Sequence, residues 1–210
     1  MRIPIMKMKR RYKIAIVTAV FLLFLFAGYQ LYMNEQGNFH TITEGEAYRS
    51  AQLDLDEFEY YIRKHNIRSI VNLRGENPSK SWYQEEIKFC DGNNIRHFDI
   101  SLSSDKAPNQ EDMRKLMEIF HTAPRPVLIH CQAGADRSGL VAAMWKVIVN
   151  KEPKEEAKKQ LSLLYGHLPI GETAVMDRFF QAWNPDVTLQ DYMNKKLPAI
   201  NDSGNVSISR

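Results

Sequence analysis

Apolar positions follow two different patterns along the chain. From Ile14 to Met33 they are nearly continuous, IAIVTAVFLLFLFAGYQLYM, without a charged side chain. Beyond Asn34 they come in short runs and periodic groups separated by polar stretches. The first pattern predicts one helix long enough for the ~30 Å hydrocarbon core of a bilayer. The second predicts a folded region in which strands alternate with helices.

Taken in order, Asn34 to Gly45 is polar and reads as a linker, and Ala47 to Gln52 as a short strand. Leu53 to Asn66 has Leu55, Phe58, Tyr61 and Ile62 near helical spacing. Its acids come early and Arg63, Lys64 and His65 come late, which suits a helix dipole. Ile67 to Leu73 predicts a strand, Ser81 to Asp91 a helix ended by Asn93-Asn94, and Ile95 to Ser101 another strand. On the Ser81 helix, Trp82, Tyr83, Ile87 and Cys90 share one side. Ser103 to Asn109 is a polar loop, and Gln110 to Thr122 a helix with Met113, Leu116, Met117 and Phe120 on one face. Pro126 to Ile129 predicts a buried strand and Leu140 to Val149 a buried helix. Pro153 opens a helix expected to reach about Tyr165, with a Glu155–Lys159 pair. Gly171 to Trp183 predicts the last helix, packed through Val175, Met176, Phe179, Phe180 and Trp183. Asn201 to Arg210 reads as a frayed tail.

The fold class expected is α/β, with a mainly parallel central sheet flanked by helices and preceded by one transmembrane helix. The expected organisation is a basic cytoplasmic segment (1–13), an anchor or signal peptide (14–33), a linker (34–46), one folded domain (47–184) and a tail (185–210).

Charge adds orientation. The net charge of +3 hides a block of bases, Arg2, Lys7, Lys9, Arg10, Arg11 and Lys13, with no acid among them. The remainder is slightly acidic, so no nucleic-acid partner is indicated. Bases before an apolar span stay in the cytoplasm, which places the domain outside the cell membrane as a single-pass protein. Tyr29 and Tyr32 suit the far interface. A cleaved signal peptide with a core ending near Ala27-Gly28 is the alternative, and makes the domain secreted or periplasmic. The two cysteines, Cys90 and Cys131, form no disulfide framework, and the six histidines lack metal-ligand spacing. No metal and no cofactor are expected. Cys90 reads as a core thiol, with a reversible Cys90–Cys131 disulfide as the alternative.

The chemistry concentrates in His130-Cys131-Gln132-Ala133-Gly134-Ala135-Asp136-Arg137-Ser138-Gly139. A cysteine at a strand's end, a six-residue loop and a helix start aim backbone N–H groups and a helix N-terminus at one point. Such a point binds phosphate. The same field stabilises a thiolate, so Cys131 is expected to be nucleophilic at neutral pH. Arg137 closes the ring with a planar fork for two phosphate oxygens. The loop expected to bind phosphate is Gln132, Ala133, Gly134, Ala135, Asp136 and Arg137.

This H-C-x-x-G-x-x-R-S-G run resembles the signature of the cysteine-dependent protein tyrosine and dual-specificity phosphatases, in a compact bacterial form. The stretch Tyr48-Arg49-Ser50-Ala51-Gln52 resembles one near the start of related bacterial phosphatases. The resemblance implies a phosphomonoester hydrolase with a cysteinyl-phosphate intermediate and a carboxyl group serving as acid, then base. Relatives carry that acid on the loop after the preceding strand, which here favours Asp105, with Asp99, a residue within the predicted strand, as the alternative. The resemblance implies that Ser138 stabilises the departing thiolate; a helix N-cap is its plainer reading. His130 is implied to order the loop. Asp136 is expected to face solvent, Arg49 to pair at the surface, with facing substrate as its alternative, and Arg74 to form a salt bridge, with the site rim as its alternative.

The variable loop positions Gln132, Ala133, Ala135 and Asp136 include no lysine, which disfavours multiply phosphorylated substrates. Phosphotyrosine on proteins is the expected substrate. A phospholipid such as phosphatidylglycerophosphate is the alternative that a membrane anchor keeps open. A catalytically inactive phosphate-binding module, and thiol chemistry of the sulfurtransferase or arsenate-reductase kind, are the readings from other classes.

Overall fold

The computed structural model describes residues 10–187 together with Gln190 and Asp191. Arg2, Lys7 and Lys9 of the basic block, and residues 192–210, lie outside them. The chain divides into two units between Gln36 and Gly37.

The first unit is one helix, α1 (Arg10–Glu35). Its apolar span, Arg10–Met33, contains an 18-residue stretch with a mean hydropathy of 2.2, none of it buried. At ~1.5 Å per residue this span is about 36 Å long, enough to cross a bilayer core.

The second unit is a five-stranded sheet with helices on both faces. Its strands are β1 (His40–Thr43), β2 (Ala47–Ser50), β3 (Ser69–Asn72), β4 (Arg96–Asp99) and β5 (Val127–His130), in the order β1-β2-β5-β3-β4. Only the β1–β2 pair is antiparallel; β2, β5, β3 and β4 run parallel. The sheet is therefore mainly parallel, as the alternation of elements predicts. The stretch 34–46, read as a linker, instead supplies β1. Its alternation His40-Thr41-Ile42-Thr43 is too short to stand out in sequence, and pairing with β2 gives its backbone partners.

The helices are α2 (Leu55–His65), α3 (Ser81–Gly92), α4 (Gln110–Thr122), α5 (Asp136–Ile148), α6 (Lys154–Ala157) and α7 (Ala174–Ala182). Capping boxes start α2, through Asp54 and Glu57, and α4, through Asn109 and Asp112. Asn66 ends α2 in the left-handed conformation. Helix α4 keeps its predicted bounds.

Alternating strand residues build two cores. Val71, Val127 and Ile129 face α4, α5 and α7, and Ile70, Leu128 and Tyr48 face α2 and α3. Helix α5 is the centre of the first core: every residue from Ser138 to Trp145 is buried. It begins at Asp136, four residues before the predicted Leu140, because the loop's own residues form its first turn.

The helix predicted from Pro153 to Tyr165 is shorter. It runs as α6, tightens into a 3-10 turn at Lys158–Gln160 and leaves the helical path at Leu161. The reason is Arg49, whose Nη1 takes both the backbone and the side-chain oxygen of Gln160. The surface pair on this segment is Glu156–Lys159, not Glu155–Lys159. Gly171–Thr173 is likewise a 3-10 turn ahead of α7.

Candidate active site

The parallel strands end in register. Ser50, His130, Asn72 and Asp99 lie side by side across β2, β5, β3 and β4. The segments that follow, at Cys131, Gln52, Arg74 and Leu102, therefore meet at one sheet edge, where open α/β sheets bind ligands.

Cys131 follows β5 directly and is buried in the α5 core. Its sulfur lies 3.5 Å from Ser138 Oγ, one turn into α5. Between them the chain reverses at Gly134, whose φ of 68° is left-handed. A Cβ there would lie 2.5 Å from Ala51 N and 2.7 Å from the Ser50 carbonyl carbon, so only glycine fits. The N-terminus of α5 has no side-chain cap, and Ser138, third in the helix, is not the N-cap of its plainer reading. Among the described residues, the N–H groups of Gln132 to Ser138 donate to no protein acceptor. They stand ready for an anion at the helix N-terminus.

Arg137 anchors the rim. Its Nη1 donates to the carbonyls of Leu73, at 3.4 Å, and Leu102, at 3.3 Å. Both bonds are long, and among the described residues Arg137 has no carboxylate partner. Arg74 stands beside it. Burial and the charge of Arg137 lower the pKa of Arg74, while Cys131 acts the other way. Its guanidinium lies 3.9 Å from the Trp82 ring centroid and donates to Gln52 Oε1. It thus sits at the rim, and the salt bridge expected of it is absent among the described residues.

Arg49 corrects a second expectation. It is fully buried, not at the surface. Its Nη2 donates to the carbonyls of Gly134 (2.8 Å) and Ala135 (2.9 Å), and its Nη1 holds Gln160. Burial lowers its pKa to about 10, so it stays charged at neutral pH. Strand alternation carried the signal, since residue 49 falls on the inward face with Ala47. Asn38 completes the brace, donating to Ala133 O (2.8 Å) and Tyr165 O (3.0 Å). Nothing in its polar surroundings announced it.

Beneath the loop lies a buried polar network. Glu86 of α3 meets His130 at 3.1 Å and His97 at 2.8 Å through Oε1, and accepts from Gln52 through Oε2. Against the opposing effect of burial, the two histidines hold Glu86 well below the usual carboxylate range. Glu86 sits three residues after Tyr83 and four before Cys90, so helical spacing placed it on the buried face.

The two candidate acids separate clearly. Asp99 accepts from Asn72 Nδ2 and Tyr83 Oη, both at 2.7 Å, and pairs with His97. It is fixed on the α3 side of the sheet, whereas Cys131 packs on the α5 side. Asp105 is exposed on the Ser103–Asn109 loop, three residues beyond the Leu102 carbonyl that Arg137 holds. A bond from Ser103 keeps its carboxyl below the usual range. Asp136 does not simply face solvent: its Oδ1 meets His167 Nδ1 at 2.7 Å.

Both cysteines are free thiols. Cys90 belongs to the α2–α3 core and Cys131 to the other, so the sheet separates them. Burial, with the charges of Glu86, Asp91 and Asp99, pushes the Cys90 thiol well above its ordinary range.

A buried cysteine at a strand's end, a glycine-pivoted N–H cradle and an arginine at the helix start are the arrangement of a cysteine-dependent phosphatase fold. The family of dual-specificity and tyrosine phosphatase domains described as fused to NAD+ kinase matches residues 25–175, well over half of the chain, and the chain belongs to this family. The human dual specificity protein phosphatase CDC14A is 26% identical over 85 residues, 40% of this chain and 13% of that protein. The Arabidopsis thaliana inositol diphosphatase DSP3 is 31% identical over 116 residues, 52% of this chain and 54% of that protein. The chain thus spans about half or less of these curated relatives. A cysteine-to-serine variant of TpbA from P. aeruginosa, solved in complex with phosphotyrosine, shares the fold. Its TM-score is 0.59 at 17% identity, over 75% of this chain and 91% of that one.

Proposed function

We propose that this chain is a membrane-anchored phosphomonoester hydrolase acting on phosphotyrosine through a cysteinyl-phosphate intermediate. The single observation that carries the reading is the approach of Cys131 and Ser138 beneath N–H groups that have no protein acceptor among the described residues. In the first step the Cys131 sulfur attacks phosphorus and the ester oxygen leaves, taking a proton from Asp105. The loop N–H groups and Arg137 hold the three equatorial oxygens as charge redistributes. In the second step Asp105 takes a proton from water, the water oxygen attacks phosphorus, and the S–P bond breaks. Ser138 then donates its hydroxyl hydrogen to the thiolate. The products are a free hydroxyl and inorganic phosphate, and no metal or cofactor takes part.

Support for phosphotyrosine comes from the loop, which carries no lysine at Gln132, Ala133, Ala135 or Asp136, and from the phosphotyrosine that TpbA holds in its solved complex. The inositol diphosphatase named among the relatives marks a different substrate class within reach of the fold. A phospholipid monoester is the second reading, favoured by the bilayer-length span of α1. Arg10, Arg11 and Lys13 at the start of α1 favour a cytoplasmic N-terminus and an extracytoplasmic catalytic unit.

The test is phosphate release by the full chain and its Cys131→Ser variant. Three substrates are compared: phosphotyrosine peptide, phosphoserine peptide and phosphatidylglycerophosphate. Preference for phosphotyrosine, lost in the variant, supports the reading. Preference for the lipid transfers it to the second reading. Inactivity on all three and on p-nitrophenyl phosphate sinks both.

A further inference from the structure

His167 has no catalytic role in the scheme above and no motif pointed to it. It lies between the 3-10 turn Leu163–Tyr165 and the turn that precedes α7, with its side chain wholly buried. Each ring nitrogen faces a different carboxylate. Nδ1 is 2.7 Å from Asp136 Oδ1, and Nε2 is 2.7 Å from Asp177 Oδ2 on α7. Ionised carboxylates only accept hydrogen bonds, so both nitrogens must donate, and the ring that satisfies both is the imidazolium.

Asp136 is the only acidic residue from Cys131 to Arg137. It opens α5, beside the N–H groups that face the anion site. A bare carboxylate there would repel a bound phosphate. We propose that His167 is a positioning residue that draws the Asp136 carboxylate away from the phosphate loop and neutralises it, so that the loop accepts a dianion. The segment around His167 is held in place independently. Its backbone N–H bonds the Ser162 carbonyl, and Asn38 ties Tyr165 to the loop carbonyl of Ala133.

The charged groups acting on this cluster are Asp136 of α5, Asp177 of α7 and Arg49 of β2, whose guanidinium also feels Asp136. Burial works against the imidazolium, but the two carboxylates outweigh it and raise the pKa of His167 above the ordinary histidine value. The clamp therefore stays closed to a higher pH than an ordinary histidine would allow and opens as pH rises through that raised value. Anion affinity should fall in the same direction.

The proposal rests on reading the loop as the phosphate site, and the test separates the two. Sulfate, whose charge is constant over this range, is the probe, measured as a competitive inhibitor and by direct titration of the full chain. In the wild type, sulfate affinity should fall with rising pH. In His167→Asn it should be about tenfold to hundredfold weaker at neutral pH, the range for losing a hydrogen bond to a charged group, and the alkaline fall should vanish. Adding Asp136→Asn to His167→Asn should restore much of the affinity, because no charge is then left to neutralise. A merely structural histidine predicts a double variant no better than the single one, and that result overturns the proposal. So does unchanged affinity in a folded His167→Asn. Where that variant does not fold, wild-type affinity that stays flat across the alkaline range overturns it. Sulfate binding that ignores both pH and His167 sinks the clamp alone; absence of any sulfate binding sinks the phosphate-site reading with it.

Discussion

The hydroxyl of Ser138 lies 3.5 Å from the sulfur of Cys131, with both side chains buried. The hydroxyl has no closer acceptor among the described residues, so its hydrogen is available to the thiolate. Ser138→Ala should slow breakdown of the intermediate by about 10²-fold, the scale for removing one preorganised donor. Formation of the intermediate should change much less. Rapid-quench kinetics with p-nitrophenyl phosphate check this: the variant should show a larger burst followed by slower turnover. Equal slowing of both phases would leave Ser138 only a part in packing the loop.

Asp105 and Asp99 give a paired prediction. Asp105→Asn should cost about 10²- to 10⁴-fold with a poor leaving group, the range for general acid catalysis. With p-nitrophenyl phosphate, whose leaving group needs little protonation, the first step should lose far less. In the free protein the Ser103 bond holds the Asp105 carboxyl below its usual range, so its acid form is favoured only when that bond is exchanged for a place beside the bound dianion, whose charge raises the carboxyl's proton affinity. Asp99→Asn should leave the leaving-group dependence unchanged. Measuring kcat for a series of aryl phosphates distinguishes the two, and the reverse order would make Asp99 the acid.

Arg49 braces the loop from below through four oxygens. Arg49→Met should strip the donor from the Gly134 carbonyl and both Gln160 oxygens, while Ala135 keeps the Gly139 N–H, and cost about 3 kcal/mol or more, at ~1–3 kcal/mol for each unsatisfied group. Arg49→Lys should recover only part of this, since an ammonium lacks the planar fork. Thermal unfolding and phosphatase activity should fall together in both variants.

The Glu86 network gives the protein an alkaline limit. Burial opposes the charged form of His97, but bonds to Asp99 and Glu86 overcome it and raise the pKa to about 9. The stability His97 supplies is complete below the ordinary histidine value near 6.5 and is lost as pH rises through about 9. The loss should be on the order of a few kcal/mol. Urea unfolding at neutral and alkaline pH measures it, and His97→Gln should flatten the difference.

The site was legible in sequence where its parts are contiguous. His130 to Gly139 carries the proposed nucleophile, pivot glycine, arginine and serine in ten positions, and the alternation of strands and helices placed that run at a sheet edge. What escaped depends on distant partners. Asn38 reaches Ala133 across most of the domain, and Glu86 meets His130 from a helix whose apolar face masked a carboxylate. Arg49 looked like a surface residue because a buried guanidinium is rare. Four backbone and side-chain oxygens make its burial possible here. Asp136 looked solvated because its partner, His167, lies in a stretch with no regular pattern. The bounds of α6 were lost for a related reason: Arg49 takes the oxygens of Gln160 and turns the chain.

The central claim is that Cys131 carries the phosphoryl group during turnover. The measurement that tests it most directly is acid-quenched mass spectrometry of the full chain mixed with excess phosphotyrosine peptide, with the modified residue located by fragmentation. The wild type should carry one phosphoryl group on Cys131, Ser138→Ala should accumulate more of it, and Cys131→Ser should carry none and be inactive. Turnover that persists in Cys131→Ser, or a phosphoryl group on any other residue, would contradict it.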